Sequence, residues 1–510
     1  MDIKKAKPGG LTAQLKNKLI QQALERRLKQ AGLATDWATA SGSVPERHEH
    51  ADDDSSHDGG SHGASSGSAA NARTGHGSQR GANTTKNGSG PFGTTPARAR
   101  AKRKPGKPGD TVPEEFYRFH LMPGYQQLRI LNEGGARMNL SSPFFKVHEG
   151  QGGNETRVGE RTYINYASYD YLGMSSDQAV QEAAKAAIDR YGTSVSASRV
   201  VAGERPIHRE LEQAIADVYD AEAAVVFVSG HATNVSVIGQ LFGPRDLVLH
   251  DELIHNSVLM GIKLSGAHRL PFAHNDWEAL DEVLSRQRHE FERVLIVVEG
   301  LYGMDGDIPD LPRFIEVKNR HRAFLMVDEA HSFGVLGERG YGLREYFNLA
   351  GKDVDIWMGT FSKALAGCGG YIAGEAALVE HLKFLAPGFL YSVGMAPTLA
   401  AASLTALRRM QQEPQRVHDL QKRAAYFLQQ ARAAGVDTGF SMGMAVIPVI
   451  TGSTVSALKL SEALFDAGIN VLPILYPAVP EKAARLRFFM SCRHTIEQID
   501  YTIATLKKVI

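Results

Sequence analysis

From about residue 113 onward, short runs of β-branched and other large apolar residues recur between longer stretches of helical periodicity. The runs are Ala224-Val-Val-Phe-Val228, Asp246-Leu-Val-Leu-His250, Val294-Leu-Ile-Val-Val298, Ala323-Phe-Leu-Met-Val327 and Asp355-Ile-Trp-Met358. Between them, apolar residues at three- and four-residue intervals predict helices over 205–220, 277–290 and 311–321. Strands apolar at nearly every position are buried on both faces. Their alternation with helices predicts an α/β fold with a mostly parallel sheet. Ligands of such sheets sit beyond the carboxyl ends of the strands. Ser229, Glu299, Asp328 and Lys363 all follow these runs closely, and no internal repeat interrupts the pattern.

A different pattern precedes this body. Leu11, Leu15, Leu19, Leu24 and Leu28 fall at helical spacing among Lys, Arg and Gln and predict one helix over residues 11–32. A lone helix of that length is marginal in water. Three readings stay open: it packs on its own body, docks on a partner such as a carrier-protein or synthase subunit, or lies on a membrane surface. Residues 35–112 are rich in Gly, Ser, Ala, Asn and His, with almost no large apolar side chains, and read as a disordered linker. The linker ends in a basic run, Arg98 to Lys107, either a solvated charge cluster or a surface for an acidic partner. The expected organisation is a docking helix (1–34), the linker (35–112), an N-terminal arm (113–165), a large domain (166–400) and a smaller C-terminal α+β domain (401–510).

Composition narrows the class. The chain has 510 residues with 57 Lys+Arg against 56 Asp+Glu, a net charge of +1. A whole-chain nucleic-acid binder would be strongly basic, so none is expected. Cys368 and Cys492 are the two cysteines. That is too few for a disulfide framework or a cysteine-rich zinc site, and it fits a reducing compartment. No run reaches ~18 apolar residues, so no membrane-spanning helix is expected. Met1-Asp2-Ile3-Lys4-Lys5 has no apolar stretch behind it, so no secretory signal is expected either. A soluble, cytoplasmic enzyme without a metal site is the expectation.

Four clusters carry chemistry. Ser229-Gly230-His231-Ala232-Thr233-Asn234 joins a strand end to a helix start, where exposed N–H groups can cradle a phosphate. In Asp251-Glu252-Leu253-Ile254-His255-Asn256-Ser257, His255 follows a strand and can stack on a flat ring or act as a base. In Val327-Asp328-Glu329-Ala330-His331, Asp328 can pair with a protonated ring nitrogen and His331 can reach a neighbouring oxygen. The same letters spell a helicase box, but no phosphate-binding G-x-x-x-x-G-K-[S/T] loop precedes them. In Gly359-Thr360-Phe361-Ser362-Lys363-Ala364, the Lys is hemmed in by small and apolar residues, and Gly367, Gly369 and Gly370 follow. A desolvated Lys has a lowered pKa and can form an imine. Each cluster alone reads as an ordinary turn, a structural His or a surface Lys. Together they make up a pyridoxal-phosphate site.

Residues 113–510 resemble the α-oxoamine synthase family of fold-type I pyridoxal-phosphate enzymes. That family includes serine palmitoyltransferase, 8-amino-7-oxononanoate synthase, 5-aminolevulinate synthase and glycine C-acetyltransferase. The resemblance rests on motifs in family order: Ser168-Tyr-Asp-Tyr-Leu-Gly173, Ser198-Arg199 with Gly203 and His208, Val327-Asp-Glu-Ala-His-Ser-Phe-Gly334, and Gly359-Thr-Phe-Ser-Lys363. Ala484-Arg-Leu-Arg487 and His494-Thr495 complete it. The resemblance implies Lys363 as the imine-forming Lys, Asp328 on the pyridine nitrogen, His331 on the ring hydroxyl and His255 on the ring face. Ser229, Gly230, His231 and Thr360 are implied at the phosphate, Glu299 as an active-site acid, and Ser392 at the phosphate of a neighbouring subunit. It further implies Arg487, or the nearby Arg485, on the amino-acid carboxylate, with Tyr169 and Asp170 also at the substrate. Several family members have Asn-Asp or Asn-Asn where this chain has Tyr169-Asp170, a variant that looks more like eukaryotic serine palmitoyltransferase. The loop Tyr476-Pro-Ala-Val-Pro480 departs from the Pro-x-Thr-Pro common in serine palmitoyltransferases.

The implied enzyme is a homodimeric acyltransferase. It would condense serine, alanine or glycine with an acyl thioester, carried on coenzyme A or acyl carrier protein, to an α-amino ketone with loss of CO2. An aminotransferase or another Cα-directed enzyme of the same fold would share Lys363 and Asp328 but release no thiol. A catalytically silent subunit would lack Lys363. As a component of an assembly-line synthase, the chain would add docking to catalysis.

Overall fold

A computed structural model describes residues 111–510 except Asn139 and Pro477. The helix expected at 11–32, the basic run at 98–107 and all but the last two residues of the expected linker lie outside the described residues. A hairpin, β1 (Glu155–Val158) and β2 (Arg161–Asn165), leads into the main body. Seven strands then build one sheet: β3 (Ala223–Phe227), β4 (Leu247–Asp251), β5 (His268–Phe272), β6 (Val294–Glu299), β7 (Phe324–Asp328), β8 (Ile356–Thr360) and β9 (Gly370–Gly374). Their order is β3-β9-β8-β7-β6-β4-β5. β9 runs antiparallel to both of its neighbours, and the other pairs are parallel.

The five expected runs fall within two residues of β3, β4, β6, β7 and β8. Every residue of β4, β6 and β8 is buried, as a sheet covered on both faces requires. The two-residue period of the strands sorts their side chains into two core layers. Ala224, Val226, Leu249, Ile296, Val298 and Val327 enter one; Val225, Phe227, Val248, Val297 and Met326 enter the other. β9, Gly-Tyr-Ile-Ala-Gly, is too glycine-rich to read as a strand. Its glycines are required by crowding: a Cβ on Gly374 would lie 2.7 Å from the Asp355 carbonyl oxygen.

The C-terminal part is a second, smaller layer. β10 (Val446–Ile450), β11 (Ile469–Asn470), β12 (Leu472–Ile474) and β13 (Arg485–Phe489) alternate with the helices Gln415–Ala433, Thr454–Asp466 and Ile496–Val509. β10, β13 and β12 form an antiparallel sheet. β11 instead pairs parallel with β2, which ties the early hairpin to the C-terminal layer. This closure brings β13, with Arg485 and Arg487, over the carboxyl ends of β6 and β7.

Candidate active site

The site is assembled from strand ends. Glu299 closes β6 and Asp328 closes β7, and the two are direct partners in the parallel register. Asp328 in turn pairs with Met358 of β8, five residues before Lys363. The chain leaves β8 through Thr360 and turns back into β9. Thr360 Oγ1 donates to the Gly369 carbonyl oxygen at 2.7 Å and accepts from the Ser362 N–H at 3.2 Å, which fastens the turn that presents Lys363.

Burial controls the charges here. It lowers the Lys363 amine to about 8, against the opposing pull of Asp328 and Glu299. An amine so poised is available unprotonated near neutral pH, as imine chemistry requires. Burial, then the charge of Asp328, pushes the Glu299 carboxyl up to about 8. Its Oε2 accepts the Gly303 N–H at 3.1 Å. Asp328 Oδ1 accepts the Ala330 N–H at 3.0 Å and Oδ2 accepts Asn234 Nδ2 at 2.8 Å. Burial, then Lys363 and Arg487, holds His331 well below the ordinary imidazole value. Its Nδ1 meets the Tyr171 hydroxyl at 2.7 Å, and its ring lies parallel to Phe489 at 6.1 Å.

The opposite wall comes from the helix starts after β3 and β4. Ser229 caps the helix Gly230–Leu241, its Oγ accepting the Ala232 N–H at 3.4 Å. A Cβ on Gly230 would lie 2.8 Å from Thr360 Oγ1, and one on Gly370 would lie 2.7 Å from Gly230 Cα. The β3 exit and the β8–β9 turn therefore form a close-walled cradle at a helix N-terminus, a place that favours an anion. His255 caps the helix Asn256–Ser265, and His231 meets it edge-on at 6.4 Å. Desolvation of its inner side, with Lys363, His231 and Arg487 adding to it and Asp328 opposing, keeps His255 below the usual imidazole value.

Arg485 and Arg487 are now distinguishable. Arg485 Nη1 is held by Asp305 Oδ1 at 2.5 Å and the Met304 carbonyl at 3.1 Å, and its Nε by the Ala483 carbonyl at 2.9 Å. Arg487 gives Nη1 to the Gly303 carbonyl at 2.8 Å and lies over Phe489 at 4.5 Å. Its Nε has no hydrogen-bond partner among the described residues. A half-buried guanidinium with an idle donor beside Lys363 suits a carboxylate. Tyr169 lines the same cleft, edge-on to Phe489 at 4.7 Å and with its ring 6.0 Å from Lys363 Nζ.

Two expected residues stand apart. The Asp170 carboxylate accepts the Met174 N–H at 2.8 Å and the Ser175 hydroxyl at 2.6 Å, so it shapes the loop that carries Tyr169. Ser392 sits between the exposed Tyr391 and Val393, in a loop held by His208 Nε2 on the Met395 carbonyl at 2.7 Å. Asn234, Ser257, Gly303 and Tyr171 line or brace the site without having been singled out for it. Asn234 carried a signal, as the last residue of the Ser229–Asn234 cluster.

A carboxylate at a strand end, a depressed lysine, an imidazole on each side and a glycine-walled anion cradle fit pyridoxal phosphate. The chain belongs to the aminotransferase class I and II family, whose model matches residues 161–506. Within it, the chain is a member of the α-oxoamine synthases. It is 39% identical over 355 residues to the 8-amino-7-oxononanoate synthase of Fervidobacterium nodosum, covering 69% of this chain and 89% of that protein. It is 35% identical over 366 residues to the serine palmitoyltransferase of Sphingobacterium spiritivorum, covering 72% and 91%. The solved Sphingomonas wittichii serine palmitoyltransferase superposes with a TM-score of 0.73 at 30% identity, covering 76% of this chain and 98% of that one. A high-resolution structure of serine palmitoyltransferase with pyridoxal phosphate as an internal aldimine superposes equally well, at 29% identity over 76% and 98%. The protein is thus a pyridoxal-phosphate-dependent acyltransferase of the type that condenses an amino acid with an acyl thioester.

Proposed function

We propose that the chain condenses a small amino acid (serine, alanine or glycine) with an acyl thioester, releasing the thiol and CO2 and leaving an α-amino ketone. The observation that carries this is Arg487, whose Nε has no partner among the described residues and whose neighbours are Lys363, Glu299 and Phe489. The cofactor supplies an electron-withdrawing ring and a carbon for the imine. The protein supplies everything else. Arg487 grips the substrate carboxylate and so sets which Cα bond stands across the ring plane. Lys363 Nζ takes the proton from Cα and later returns one to it. Asp328 would hold the ring nitrogen and His331 the ring hydroxyl. Ser229, Gly230, His231 and Thr360 would hold the phosphate, with Ser392 from a second copy in a homodimer. His255 would lie against the ring, and Tyr169 narrows the substrate end. The walls of Phe489, Tyr169 and His331 favour a small side chain.

Absorbance titration with glycine, L-alanine and L-serine tests the reading, followed by acyl-coenzyme A with thiol release measured. A spectral shift with one of the three, then release of thiol and CO2, is expected. A shift without thiol release would instead support an aminotransferase, and a protein that stays colourless with added pyridoxal phosphate would sink the proposal. Residues 11–32 are proposed as a docking helix for an acyl-carrier partner. Deleting residues 1–112 should spare turnover with free acyl-coenzyme A and reduce it with a carrier-bound acyl group.

A further inference from the structure

One chain of hydrogen bonds, buried except at its exposed His255 end, joins the two sides of the cofactor cleft. Asn234 Nδ2 lies 2.8 Å from Asp328 Oδ2 and 2.9 Å from Ser257 Oγ. Ser257 Oγ lies 2.6 Å from His255 Nδ1, and the Ser257 N–H reaches the same nitrogen at 3.3 Å. Asn234, Ser257 and Asp328 are buried at 1%, 0% and 3% exposure.

Donor and acceptor roles along this chain are forced from one end. An ionised Asp328 only accepts, so the Asn234 atom facing it must be the amide nitrogen. That nitrogen spends its two hydrogens on Asp328 and Ser257. Ser257 Oγ therefore accepts from Asn234, and its own hydrogen is left for His255 Nδ1. The Ser257 backbone N–H points at Nδ1 as well. A nitrogen approached by two donors carries no proton of its own. His255 is then the neutral tautomer with its hydrogen on Nε2, the one ring atom left to act in the cleft.

We infer that Asn234 and Ser257 are positioning residues that convert the ionised state of Asp328 into a fixed Nε2–H tautomer of His255, so that His255 donates a hydrogen bond to the acyl or carboxylate oxygen above the cofactor. This rests on the reading of Asp328 and His255 as the groups on the two sides of the cofactor ring. The Ser257 N–H favours the same tautomer at 3.3 Å, but the shorter contact, 2.6 Å, is the hydroxyl's, and Asn234 orients that hydroxyl. An unfixed imidazole would divide between two tautomers, one of which turns a lone pair toward an oxygen and repels it.

The test uses the pyridoxal-phosphate-loaded enzyme labelled with ring-15N histidine, the His255 signals assigned by their loss in His255→Gln. Wild type should show a pyrrole-type Nε2 and a pyridine-type Nδ1. Ser257→Ala and Asn234→Ala should each give a mixed or inverted tautomer, with turnover down roughly 10-fold, the scale of one lost hydrogen bond, and little change in the amino-acid KM. A wild-type signal with the proton on Nδ1 would overturn the inference, as would an unchanged tautomer in a folded Ser257→Ala. If a variant does not fold, the wild-type spectrum alone decides. Colour separates the two levels: a colourless wild-type protein fails the cofactor-site reading, whereas a coloured one with the wrong tautomer fails only this inference.

Discussion

Glu299 and Asp328 stand side by side at the ends of adjacent parallel strands, two carboxylates in register beneath one cleft. Their proximity, added to burial, is why Glu299 holds its proton to about 8. The folded value lies above the ordinary carboxyl value, so the folded state binds the extra proton between about 4.5 and 8. Stability is therefore full below that window and falls as pH rises through it. In Glu299→Gln this slope should vanish, the amide oxygen still accepting the Gly303 N–H. Thermal unfolding of the cofactor-free protein from pH 5 to 8 checks this; parallel pH profiles for the two proteins would refute it. The gain at pH 8 should be a few kcal/mol at most.

Lys363 provides the second prediction. Lys363→Ala should lose the absorbance of the bound cofactor and at least ~1,000-fold in turnover, since it removes both the imine nitrogen and the Cα base. Borohydride reduction of the wild type followed by peptide mass spectrometry should place the cofactor mass on Lys363. Label found elsewhere would reassign the lysine.

The two arginines of β13 should part company. Arg487→Ala should raise the amino-acid KM by about 100-fold, as the loss of a charge-assisted carboxylate contact does, with modest loss of stability. Arg485→Ala should leave Asp305 buried and unpaired, costing about 3–5 kcal/mol by denaturant unfolding while changing KM little. A large KM effect in Arg485→Ala with an intact fold would reverse the assignment.

His274 is clamped between two carboxylates, Nδ1 at 3.0 Å from Asp251 and Nε2 at 2.8 Å from Asp307. Burial alone would lower it, but the paired carboxylates raise it to about 10. The stability it contributes is complete below about 6.5 and is lost as pH rises toward about 10. His274→Gln should therefore be destabilised by a few kcal/mol at pH 6 and approach the wild type near pH 10. A constant difference across that range would show that the imidazolium does not tie the end of β4 to the loop after β6.

Much of this was legible in the residues. The apolar runs of β3, β4, β6, β7 and β8 stand out because a sheet covered on both faces needs apolar residues at every position. Lys363, Asp328, His331 and His255 could be singled out because each follows such a run, where the backbone must present a polar side chain at the sheet's edge. β9 was not legible, because its glycines answer to Gly230 and Asp355, neighbours distant in sequence. Nor was the choice between Arg485 and Arg487, which alternate on one strand with the same chemistry. Only the loop Gly303–Asp305, folded against β13, takes up one and leaves the other's Nε idle. Asp170 reads as a polar group beside Tyr169, but its own turn claims it.

The sequence by itself determined the layered α/β class and the cofactor chemistry and pointed to Lys363, since local periodicity and strand-end position depend on neighbours along the chain. Tertiary structure alone decided which arginine keeps an idle Nε, that the early hairpin pairs with β11, and that Asn234 and Ser257 link Asp328 to His255. Those outcomes depend on which donors and acceptors are left unpaired once distant strands and helices close together, and a side chain's free hydrogen-bonding capacity exists only after its partners have been placed.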